Sequence, residues 1–113
     1  MLWHVSFENE LTEFRTRTFF GIYDVNINAS HKVKYLTHGT TIHGAQAIDE
    51  KYQSLPLGYY NTAGPLGQVF RNNKHIDKKV AVVGLGVGTI ACYGDEYTSV
   101  QFYEIDSAMV KLA

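Results

Sequence analysis

The sequence predicts a mixed α/β fold, an antiparallel β-meander followed by the beginning of a parallel sheet. Three observations carry this. The first half strings together aromatic and β-branched runs separated by turn-forming residues. The second half opens on "VAVVG" (80–84), a continuous apolar run of the kind that parallel strands show. After it, strand, glycine loop, helix, strand and helix succeed one another within about thirty residues, the order of a βαβ unit.

The elements follow in order. "TFFGIYDVNI" (18–27) alternates partially around Gly21 and reads as a strand. "NASHK" (28–32) is a turn, since Asn and Ser bond their own backbone there. "VKYLTHG" (33–39) sets Val33, Tyr35 and Thr37 on one face, and "TTIHGAQAI" (40–48) follows Gly39 as the next strand. Residues 49–65 contain Pro56, Gly58, Gly64 and Pro65 and predict a loop leading into a short helix over 65–72, with proline at its first turn. A polar bridge (72–79) leads to the strand at 80–84. "VGTIACYGD" (87–95) reads as helix, "SVQFYEID" (99–106) as strand and "SAMVKLA" (107–113) as helix, with Asp106 as its N-cap. The boundary falls near residue 50, giving a β-domain (1–50) and an incomplete nucleoside-binding domain (51–113).

A chain of 113 residues with a formal charge of −1 lacks the basic field of a nucleic-acid binder. No apolar run reaches the length of a membrane-spanning helix. Cys92 is the only cysteine, so no internal disulfide forms, and a cytoplasmic setting is the default.

The stretch "VAVVGLGVGTIACYG" holds the chemistry. Gly84 permits a tight turn, Gly86 lets a ligand approach bare backbone, and Gly88 brings the following helix close. The dinucleotide fingerprint would place its third glycine at Thr89, and the P-loop lysine is missing, so phosphate is not the expected guest. G-x-G-x-G is instead the spacing of S-adenosylmethionine-type sites. Glu104, in "FYEID" at the end of the next strand, is placed to accept ribose hydroxyls beside that loop. A plain turn with a structural acid is the bland reading of the same residues.

Five motifs in order, "TRTFFGIYDV", "YLTHGTTIHGAQ", "YYNTAGPLGQVF", "VAVVGLGVGTIACYG" and "FYEID", resemble the spermidine synthase-like (polyamine aminopropyltransferase) family. The likeness covers about residues 14–113 and is greatest to the bacterial branch often fused to membrane segments. It implies a small β-domain and a Rossmann-like domain of the class I methyltransferase type, here truncated after its first half. It also implies aminopropyl transfer from decarboxylated S-adenosylmethionine to a polyamine, without a metal. By this resemblance Gly84, Gly86 and Gly88 line the nucleoside, Glu104 binds its ribose, Gln46 contacts the donor, and Tyr60 walls the polyamine channel. The family's synthases carry an aspartate in the glycine loop where this chain has Val87. Methyl transfer from S-adenosylmethionine is therefore a competing reading, and a non-catalytic interaction module is another. The missing downstream acidic motif leads us to expect no turnover from these residues alone, and the uncovered apolar strands lead us to expect a homo-oligomer.

Of the remaining residues, His38 and His43 fall on opposite faces of an unbroken strand, and only a turn at Gly39 would bring them together. His4, His31 and His75 read as surface. Cys92 sits at an apolar position of the expected helix and reads as a buried, inert thiol.

Overall fold

A computed structural model describes residues 10–72 and 77–113. Four strands form the expected meander: β1 (Glu10–Thr18), β2 (Gly21–Asn28), β3 (Val33–His38) and β4 (Thr41–Ala47), antiparallel and in sequence order. β1 precedes the first strand expected from the sequence, which begins at residue 18. Its sequence, "ELTEFRTRT", is mostly polar and mostly exposed, and it is held by pairing with β2 and not by burial. Arg15 forks onto Asp24 across that pair, with Nη2 to Oδ2 at 2.9 Å. Phe19 and Phe20, placed in a strand by the sequence, form the turn between β1 and β2.

Two 3-10 turns (Glu50–Tyr52 and Gly58–Tyr60) break the 49–65 loop, and helix α1 occupies Pro65–Asn72 as expected. Strands β5 (Lys78–Val83) and β6 (Thr98–Tyr103) pair in parallel, with Val80 opposite Val100 and Val82 opposite Phe102. Helix α2 spans Ser107–Leu112, and Asp106 caps it by accepting from the Ala108 amide at 2.9 Å. The same carboxylate accepts from the Thr18 hydroxyl at 2.7 Å, tying the end of β1 to the start of α2.

Two expectations are corrected. The helix predicted over 87–95 is a single 3-10 segment, Thr89–Tyr93, because Gly88 stands in left-handed conformation before it and Gly94 leaves helical geometry after it. The strand read as buried on both faces is covered on one. Val80 and Val82 are half-buried, whereas Ala81 and Val83 face outward and Val83 is 90% exposed.

The core joins both halves of the chain. Tyr23 from β2, Leu36 from β3 and Met109 from α2 are buried together, with Val25, Val87 and Leu112 packed around them. The glycine loop is thus seated against the meander through Val87.

Candidate functional site

The glycine loop follows β5 directly. Gly84, Gly86 and Gly88 take φ of 89°, 57° and 74°, left-handed values that side-chain-bearing residues disfavour. The Gly84 amide donates to the Tyr103 carbonyl at 2.8 Å, extending the parallel ladder by one bond. The Gly88 amide donates to the Leu85 carbonyl at 2.9 Å and closes the turn. A Cβ on Gly84 would meet open space, so this part of the loop is accessible. A Cβ on Gly86 would stand 3.0 Å from the His43 carbonyl oxygen, so the close approach at Gly86 is to the backbone of β4. The reciprocal fit lies one residue on, where a Cβ at Gly44 would come within 2.3 Å of a Val87 methyl. Val87 is packed onto Gly44 of β4.

Glu104 follows β6 at the same end of the parallel pair. Oε2 accepts the Leu85 amide and Oε1 the Asp106 amide, both at 2.9 Å. The Asp106 amide, then the Leu85 amide, hold its carboxyl below the usual glutamate range, so it is ionised at neutral pH. The Ile105 amide adds a weaker interaction in the same direction. The sequence placed Glu104 beside the loop, and there it stands. It also binds the loop's own backbone, a contact that spacing alone does not reveal.

Gln46, on β4 opposite Lys34, is exposed at a cavity of about 170 Å³. Val87, Gly88 and Thr89 form the loop side of that cavity, and Leu36 and Leu112 its floor. Gln46 and Gly88 thus meet in one space, whereas Gly84, Gly86, Glu104 and Tyr60 do not line it. Tyr60 lies elsewhere: its ring rests on Tyr59, with centroids 4.3 Å apart, and its carbonyl accepts from the Tyr93 hydroxyl. Burial, then Tyr59, push its phenol up to about 12. Tyr93 in turn stacks on Phe70 at 4.6 Å, so Tyr60 is anchored to the segment that follows the loop.

Cys92 is exposed and not buried, since in this 3-10 segment Thr89 takes the buried position. His31 is exposed and its ring meets Asn28 at 3.0 Å. His4 and His75 lie outside the described residues. His38 and His43 are brought together after all: the chain turns at Gly39 and Thr40, and the two rings stack with centroids 5.8 Å apart. Among the described residues no group of three or more His, Cys, Asp or Glu is placed to hold a metal ion. No helix among them is long and apolar enough to cross a membrane.

No family model, curated protein or solved structure matches this chain.

Proposed function

We propose that the glycine loop and Glu104 form the donor site of a spermidine synthase-like transferase, binding an S-adenosylmethionine-type nucleoside. In this reading β5 and β6 are the first strands of a Rossmann-like sheet, and the chain works in the cytoplasm as a homo-oligomer. One observation carries it. An ionised carboxylate at the end of β6 accepts the Leu85 amide of a loop with three left-handed glycines, and a carboxylate in that place suits a pair of ribose hydroxyls. Gln46 and Gly88 supply the wall of a cavity for the donor's tail, whereas the role of Tyr60 in a polyamine channel rests on the family resemblance alone.

A second reading is methyl transfer from intact S-adenosylmethionine. It is favoured by Val87, which replaces the loop aspartate of the family's synthases and packs onto Gly44 of β4, so the loop offers no carboxylate to an aminopropyl donor's amine.

Calorimetry with methylthioadenosine, S-adenosylmethionine and its decarboxylated form tests both readings. Binding of methylthioadenosine is expected, weakened by about 1–3 kcal/mol in Glu104→Gln, the range for losing a charge-assisted hydrogen bond. No binding of any of the three ligands rejects the donor site. Equal binding by the variant reduces Glu104 to a support of the loop. Preference for intact S-adenosylmethionine selects methyl transfer over aminopropyl transfer.

A further inference from the structure

His43 occupies an unusual place in the sheet. Leu36 pairs with Gly44 and Thr37 with Ile42, so His43 is the extra residue of a β-bulge in β4. Bulges re-aim side chains and recur beside functional sites. Here the bulge presents the His43 carbonyl to Gly86 and the next residue, Gly44, to Val87. The imidazole Nε2 is buried and makes no hydrogen bond. An unpaired buried nitrogen is costly, and in a native fold it requires an explanation.

The groups facing this ring can be named. From β3 comes His38, stacked on it at 26° between planes, with Tyr23 of β2 behind at 5.0 Å from His38. From the end of β6 comes Glu104, whose charge acts on the ring, and beyond it Asp106, bonded to Thr18. Burial first and His38 second press His43 below its ordinary value, while Glu104 opposes them. The ring is therefore neutral at neutral pH, and both oxygens of Glu104 stay on the Leu85 and Asp106 amides. An imidazolium at this place has a buried N–H without a partner, stacked on the His38 ring.

We infer that His43 is a proton-sensitive positioning residue of the glycine loop: once protonated, its charged ring lies buried and unpaired against His38, disturbs the bulge whose carbonyl meets Gly86, and so loosens the loop. Acidification thereby weakens the site. This regulates the donor site proposed above and rests on that reading only for its consequence, so the test is made without ligand. Amide and imidazole NMR on the full chain, from about pH 8 to about pH 5, spans the histidine range without titrating Glu104. The Leu85 and Asp106 amide resonances are expected to shift with the same midpoint as the His43 ring. His43→Gln should abolish that shift, and His38→Gln should move the His43 midpoint upward by removing a like charge. Amides that stay flat while the His43 ring titrates would overturn the inference, as would an undiminished amide titration in folded His43→Gln. The wild-type and His38→Gln titrations decide the matter even where His43→Gln fails to fold.

Discussion

At the scale of single residues, the glycines of this chain serve packing as much as any ligand. Gly44 leaves room for Val87, and a Cβ there would overlap a Val87 methyl. Gly44→Ala is therefore expected to lower stability by about 1–3 kcal/mol through overpacking, read as a fall in the urea midpoint. Gly86→Ala meets both a φ of 57° and the His43 carbonyl. It should cost about 1–2 kcal/mol in the same experiment, so a loss of ligand binding in that variant is interpretable only beside its stability. Val87→Asp would set a carboxylate against β4 and the shared core. Its expected effect is destabilisation of about 2–3 kcal/mol, and not a new contact with a cationic donor. A variant as stable as the parent would show that the loop sits away from Gly44.

At the scale of elements, the junction of β4, the loop and the end of β6 sets the response to acid. His43 has a folded pKa below its unfolded value of 6.5, so its contribution is present above that value and is lost as pH falls through it. Glu104 is likewise depressed, so its contribution is present above its unfolded value of 4.5 and disappears as pH falls from there toward its folded pKa. Unfolding free energy is thus expected to decline in two stages between about pH 7 and about pH 3. Glu104→Gln should shrink the lower stage, which Asp24, Asp95 and Asp106 share, and leave the upper one, as urea titrations at a series of pH values would show. A single stage near the carboxylate range would mean that His43 titrates freely. Capping is the other element-scale term. Asp106→Ala deletes both the cap of α2 and the tie to Thr18. It should cost about 1–2 kcal/mol, the upper part of the range for a lost N-cap.

At the scale of the whole molecule, the parallel pair is incompletely covered. Val83 and Tyr103 are cross-strand neighbours on the outer face, 90% and 54% exposed, and Ile105 just beyond them is 81% exposed. Among the described residues neither β5 nor β6 has a second neighbour in the sheet. Open edges beside apolar side chains favour association. The chain is therefore expected to self-associate at micromolar concentration, with mass falling on dilution in light scattering. A mass that stays monomeric across the series would show that this face is stable in water alone.

The sequence by itself determined the meander from β2 onward, α1, the parallel strands, the tight turn at Gly84 and the Asp106 cap, because each rests on local periodicity or on a residue's own backbone preference. It also put Glu104 beside the loop, since a parallel pair brings two strand ends together. It did not yield β1, whose polar residues are held only by their neighbour, nor the shortness of the Thr89–Tyr93 segment. The tertiary structure alone decided that Val87 seats on Gly44, that Gln46 and Gly88 share a cavity without Tyr60, and that His38 and His43 stack. Those contacts join residues from different elements, and a hairpin turn with one bulge residue changes which side chains meet without leaving a periodic trace in the chain.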